Sequence, residues 1–161
     1  MDTQSQQILA QLIRGRQTAA LGTLRNGAPF VSMVPYAVAD DLTAFDIHIS
    51  TLAHHTKDIL ADGRVSLMIA APEGPDADAQ TLARVSIQGE AVMLPKNAPD
   101  YVEARIRYLT RFPAAATSFN LGDFALYRIQ LQSARFVAGF GRIFNLKPDA
   151  FQDAAKVKHD A

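Results

Sequence analysis

The amino-acid sequence predicts an antiparallel β-barrel covered by a few helices, folded as one domain. Two observations lead there. At least six short segments alternate apolar and polar residues, and most are joined by hairpin-length connections. Regular strand–helix alternation is absent and no Gly-rich phosphate loop follows any strand, which removes doubly wound, Rossmann and P-loop architectures.

The segments follow in order. "TQSQQILAQLIRGR" sets Ile8, Leu9, Leu12 and Ile13 on one helical face, with Gly15 as its stop. Two strands in "TAALGTLRNGAPFVSMVPYAVA" meet at Asn26-Gly27, a pair that accepts the positive φ angles of a tight hairpin. "TAFDIHIS" alternates, with Phe45, Ile47 and Ile49 on one face and Asp46, His48 and Ser50 on the other. A short helix is expected from about Thr51 to Asp62, then a strand burying Val65, Leu67 and Ile69. After the acidic loop "PEGPDADAQ", the strand "TLARVSIQGEAVML" buries Val85 and Ile87 and turns Arg84, Ser86, Gln88 and Glu90 the other way. "NAPDYVEARIRYLTRF" reads as a helix with Asn97 or Asp100 near its cap and Val102, Ile106 and Leu109 as its apolar stripe. Tyr101, Tyr108 and Phe112 would pack that helix onto the barrel, and Arg105, Arg107 and Arg111 read as a solvated face, with Glu103 and Arg107 an i,i+4 pair. "DFALYRIQLQSARFVAGFGRIFNL" supplies two strands broken at Gln132-Ser133, and Pro148 opens a closing helix. The division is therefore residues 1–16 helix, 17–146 barrel, and 147–161 helix and tail.

Composition narrows the function. Sixteen basic and sixteen acidic residues cancel, which argues against a nucleic-acid partner. With no cysteine, disulfides, thiolate catalysis and cysteine metal sites are excluded. The polar start and the lack of a long apolar run lead us to expect a cytoplasmic chain with no membrane partner.

Three of the four histidines fall in "DIHISTLAHHTK". Adjacent His54 and His55 point about a hundred degrees apart on a helix, and no HExxH or carboxylate triad accompanies them, so a metal site is disfavoured. An anion site has better physics: hydroxyls at Ser50, Thr51 and Thr56, a helix start, and the charge of Lys57. Each charge-assisted hydrogen bond to a phosphate contributes roughly 1.5–3 kcal/mol. The plain alternative makes Thr51 an N-cap and Lys57 a solvated residue. Arg64 and Arg84 are the basic side chains that would complete the site. "GFGR" at 139–142 is consistent with a bulge, or with Phe140 offered to a flat ligand.

Taken in order, "ISTLAHHTKDILADGRVSLMI", "ARVSIQGEAVML", "RYLTRFPAA" and "LGDFALYRIQLQSARFVAGFGR" resemble the pyridoxamine 5'-phosphate oxidase-like split barrels, from about Thr18 to Phe144. Within them the chain is most similar to the haem-utilisation (HugZ/HutZ-like) branch. The resemblance implies a six-stranded split barrel that forms a homodimer and binds a flat cofactor at the subunit interface. In flavin-binding members the junction matching Ser50 to Lys57 holds the FMN phosphate, helped by basic residues such as Arg64 or Arg84. In the haem branch His55 pairs with Asp123 near haem, Arg84 lies close by, and His159 on the tail is the iron ligand. The substrate motif of true pyridoxamine-phosphate oxidases, Arg-x-His-x-Arg, has no counterpart here, so vitamin B6 oxidation is not expected.

Three functions follow, in this order. The first is an FMN-binding oxidoreductase using Ser50, Thr51, Thr56, Lys57, Arg64 and Arg84. The second is a haem-degrading protein in which His55, Asp123 and Arg84 act and His159 binds iron. The third is a haem carrier without turnover.

Overall fold

The computed structural model describes residues 1–75 and 78–157. Its centre is one antiparallel sheet curled into a split barrel, with helices over its open sides. The strands are β1 (Thr18–Arg25), β2 (Ala28–Pro35), β3 (Ala37–Val38), β4 (Ala44–Ser50), β5 (Arg64–Ala70), β6 (Arg84–Met93), β7 (Phe124–Gly139) and β8 (Arg142–Leu146). They pair in the order β2-β1-β5-β6-β7-β4-β3, and β8 adds to the far half of β7. Two more strands are therefore present than the resemblance implied: β3 is a two-residue ribbon on β4, and β8 folds back along β7.

Asn26 and Gly27 take φ of 52° and 80°, so the β1–β2 hairpin turns as its dipeptide requires. The first helix, α1 (Thr3–Gly15), is capped by the Asp2 carboxylate on the Ser5 N–H. It buries Leu9, Leu12 and Ile13 in the main core with Leu21, Phe45, Ile47, Leu67, Ile87 and Phe136. The closing helix, α5 (Pro148–Lys156), adds Phe151 and Ala154 to the same core. Each inward side chain of β4, β5 and β6 falls on the predicted period of two.

Four expectations need correction. β4 is buried on both faces rather than one, because α3 (Tyr101–Arg111) and the short α4 (Ala116–Phe119) lie over its polar side. Helix α3 does not turn Val102 and Ile106 inward: they are 64% and 57% exposed, while Ala104 and Tyr108 are buried beside Leu126. Its arginines are not simply solvated either. Arg107 pairs with the fully buried Asp46, and Arg111 donates to the carbonyls of Arg14 and Arg16 at the end of α1. Finally, β7 runs unbroken through Gln132-Ser133. Gln88 faces Ser133 and the next residue, Gly89, faces Leu131, so Gln132 is the extra residue of a β-bulge. The chain turns at 139–142 instead, where Gly139 and Gly141 have φ of 150° and 72° and Phe140 stands 83% exposed.

Candidate functional site

The junction after β4 is shorter and more tightly tied than its sequence indicates. Helix α2 spans His54–Ala61, begins after Ala53 rather than Thr51, and has no side-chain cap. Before it, residues 50–53 form a turn. The Ser50 Oγ accepts from the Leu52 N–H at 3.1 Å and donates to Asp123 Oδ2 at 2.8 Å. The Thr51 N–H donates to the Asp123 carbonyl at 2.7 Å. Thr56 is fully buried, and its hydroxyl donates to the Ser50 carbonyl at 2.6 Å. Two of the three hydroxyls expected to meet a phosphate are thus engaged inside the chain. What remains outward is Thr51 and Lys57, both exposed, beside a carboxylate. A phosphate dianion gains less here than the spacing promised.

His55 and Asp123 are not hydrogen-bonded to each other. The His55 Nδ1 lies 3.3 Å from the Ser32 Oγ on β2, and the Asp123 carboxylate is held by Ser50. Burial lowers the His55 pKa, opposed in part by Asp58, so the ring is neutral at pH 7. The Ser32 hydroxyl holds the ring through Nδ1, with the donor set by the imidazole tautomer.

The basic residues separate. Arg64 forks onto Asp62, and the guanidinium pulls that carboxyl down to about 2. Arg64 faces Glu90 across β5–β6, whereas Arg84 faces Ala70 at the other end. The two arginines are therefore a strand length apart, roughly 20 Å at 3.3 Å per residue. They cannot serve one small ligand within one chain. Ser50, Thr51, His55, Thr56, Lys57 and Asp123 gather around the β4–α2 junction, at the near end of the barrel, while Arg64 opens β5 beyond the C-terminal end of α2, in register with Glu90 and Gln130. Arg84 sits at the far end, donating to the Gln80 and Leu82 carbonyls next to the Phe140 hairpin. His159 lies outside the described residues. Among the described residues, no cluster of three or more His, Asp or Glu could hold a metal ion.

Four residues at the near end escaped the sequence reading. Asp58 accepts from Thr23 Oγ1 at 2.9 Å and from Arg25 at 3.0–3.1 Å, which fastens α2 to β1. The hydrogen bonds from Arg25, then Thr23, lower the Asp58 pKa. Arg25 also lies 3.6 Å over the Phe30 ring. Ser32 is the fourth. Only a buried acid in the middle of α2 could have signalled this, and a lone Asp in a helix carries no such mark.

The outer face of the sheet completes the picture. Val31 and Met33 of β2 and Met68 of β5 are exposed there. Beside them is a recess of about 400 Å³ lined by Gly22, Thr23, Pro29, Phe30, Arg64 and Gln88. Toward β7 and β8 the same face turns polar, with Ser86, Gln88, Ser133, Arg135 and Asn145 around a second recess.

The profile of the pyridoxamine 5'-phosphate oxidase family matches residues 5–138. The chain belongs to this family. Several of the similar proteins are named for haem. It is 35% identical over 118 residues to the chloroplastic heme oxygenase HOZ of Arabidopsis thaliana, covering 73% of this chain and 34% of that one. It is 25% identical over 140 residues to the heme oxygenase HutZ of Vibrio cholerae, covering 86% and 78%. The structure of a heme binding protein from Mycobacterium smegmatis superposes with a TM-score of 0.79 at 26% identity, over 94% of this chain and 59% of that one. The chain thus spans about a third of the plant relative and a little over half of the mycobacterial one. These matches agree with the haem-utilisation branch of the split barrels. Among the described residues no helix is long and apolar enough to cross a membrane.

Proposed function

We propose that the chain binds and degrades haem at sites shared by two copies paired through the outer sheet face. The observation that carries this is the separation of the site residues. His55, Lys57 and Asp123 lie by the β4–α2 junction, where Ser50 faces Phe124 at the start of β7, whereas Arg84 faces Val137 toward the other end of β7. A twofold axis lying in the plane of that face and running across the strands sets the near end of one copy over the far end of the other. The exposed Val31, Met33 and Met68 supply the apolar surface that such a pairing covers.

The residues present suit haem better than FMN. Leu52, Leu60 and Leu121 are exposed around the near end, and an aromatic, Phe140, stands at the far end. Apolar surface of this kind fits a porphyrin face. Lys57 and Arg84 are the cations for the two propionates. An FMN phosphate would meet instead a buried Thr56 hydroxyl and the Asp123 carboxylate. Relatives named as heme oxygenases favour the same ligand.

Bound haem supplies the iron at which dioxygen is activated. The chain's part is to hold and protonate. The neutral His55 ring has one N–H to give, and Ser32 fixes its orientation. Asp123, pinned by Ser50 through Oδ2, keeps Oδ1 to accept a hydrogen bond from the ligand pocket. His159 is proposed as the iron ligand on the resemblance alone.

Titrating the protein with haemin and, separately, with FMN tests the reading. A sharp Soret band with one haem per chain is expected, and FMN should show no saturable binding. Lys57→Glu should weaken haem roughly 10- to 100-fold, the value of one charge-assisted contact. Tight FMN with no Soret band would replace haem by flavin. With haem bound, a reductant and oxygen should bleach the Soret band; a band that persists makes the protein a carrier.

A further inference from the structure

Asp46, His48 and Ser50 alternate along the outer face of β4, and each holds a different part of the chain that crosses that face. Asp46 takes Arg107 of α3 and Arg128 of β7. Ser50 takes Asp123. Between them His48 holds α4. Its ring stacks flat on Phe119, with centroids 3.7 Å apart and planes 3° apart. Its Nδ1 lies 3.2 Å from the Ser118 Oγ. Because that hydroxyl gives its hydrogen to the Ala115 carbonyl at 2.9 Å, the imidazole must donate through Nδ1.

The path from α4 to the site is short and bonded throughout. The N–H groups of Asn120 and Leu121 donate back to the carbonyls of Thr117 and Ser118, closing a turn after the helix. Gly122 follows, then Asp123, whose carbonyl and carboxylate tie down Thr51 and Ser50. Little else fixes this stretch: Asn120, Leu121 and Gly122 are exposed, and α4 is a single turn. The His48 contacts, together with the Tyr108 edge and the Arg105 guanidinium on the Phe119 ring, give that turn a defined position.

We propose that His48 is a positioning residue: by clamping Phe119 and Ser118 it sets the turn that delivers Asp123 to Ser50 and Thr51. Its consequence for haem rests on the function proposed above, but the clamp itself does not. His48 makes no contact with the site. Its neighbours are Tyr108 on α3 and Phe124 on β7, with the Arg105 guanidinium on the Phe119 ring at 5.4 Å.

Amide hydrogen exchange in the ligand-free protein tests the clamp directly, because the Thr51 N–H reports the bond to Asp123. In His48→Ala, exchange at Thr51 should rise at least tenfold more than at Ile87 in the barrel or Tyr108 in α3. His48→Phe keeps the stack and loses the hydrogen bond, so it should restore most of the protection. Should His48→Ala fail to fold, Ser118→Ala and Phe119→Leu probe the same two contacts more gently, with the same expected pattern at lower amplitude. A Thr51 amide that stays protected, or one that loosens only in step with Ile87, overturns the proposal.

A second arm measures haem affinity in a double-mutant cycle. His48→Ala should weaken haem in the parent but add nothing to Asp123→Ala, since both act through one carboxylate. Equal losses in the two backgrounds would also overturn it. If no variant and no parent binds haem, the proposed function fails while the exchange result still decides the clamp.

Discussion

Asp46 shows how much one buried carboxylate organises. It is fully buried and receives Arg107 from α3 and Arg128 from β7, and Arg128 reaches on to Asp100 at the start of α3. Removing such a charge leaves two guanidinium groups in low dielectric, which costs about 3–5 kcal/mol. Asp46→Ala should therefore lower the unfolding free energy read from denaturant melts by that amount, and a loss under about 1 kcal/mol would mean water replaces the carboxylate. His48 sets a second test. Burial depresses its pKa to about 4, so below pH 6.5 the unfolded chain binds a proton that the folded one refuses. Stability contributed by the neutral ring is complete above pH 6.5 and lost progressively down to pH 4, on the order of 2–3 kcal/mol in all. Its neighbour Tyr108, pushed up to about 12 by burial, does not change the sign. Denaturant melts between pH 7 and 4 should show this slope, and His48→Phe should flatten it. The sequence made the polar alternation of Asp46, His48 and Ser50 legible but not its burial. Period two separates the faces of a strand, yet the partners that cover the second face lie some sixty to seventy residues further along the chain.

At the scale of elements, Gly89 is the most demanding position in the sheet. A Cβ there would lie 2.3 Å from the Gln130 carbonyl oxygen across the β6–β7 bulge. Backbone on both strands would have to move, so Gly89→Ala should cost at least about 2–3 kcal/mol. Gly22→Ala is the control, since its Cβ would meet Ser66 at an ordinary 3.5 Å and should change stability by less than about 1 kcal/mol. Equal thermal shifts for the two would show that the bulge is plastic. Elements defined by local chemistry were readable: α1 by its spacing, the first hairpin by Asn26-Gly27, β5 and β6 by strict alternation. Gln132-Ser133 carried a real signal too, but for a bulge rather than a break, because pairing to β6 and β8 holds β7 straight. Helix α3 packs through Tyr101, Tyr108 and Phe112 as expected, but not through the Val102 and Ile106 stripe. Ala104 and Tyr108 turn inward, the same orientation brings Arg107 to Asp46, and Val102 and Ile106 are left outside.

On the scale of the whole molecule, the candidate site is divided between the two ends of one barrel. The resemblance had brought Lys57, Arg64 and Arg84 together because chain order says nothing about which end of a strand a residue occupies. Antiparallel pairing of β5 with β6 puts Arg64 and Arg84 apart, and the function proposed above brings the ends together through a second copy. Met33→Glu on the exposed sheet face should then produce a folded monomer by sedimentation that no longer binds haem; a monomer that still binds it would locate the site within one chain. Mixing two defective variants is the most direct measurement. Lys57→Glu and Arg84→Gln proteins are unfolded together, refolded at equal concentration and titrated with haemin. Random pairing makes half the dimers mixed, and each mixed dimer carries one intact site, so about a quarter of the parent Soret amplitude should return at parent affinity. No recovery beyond the sum of the separate variants would contradict a site shared between copies.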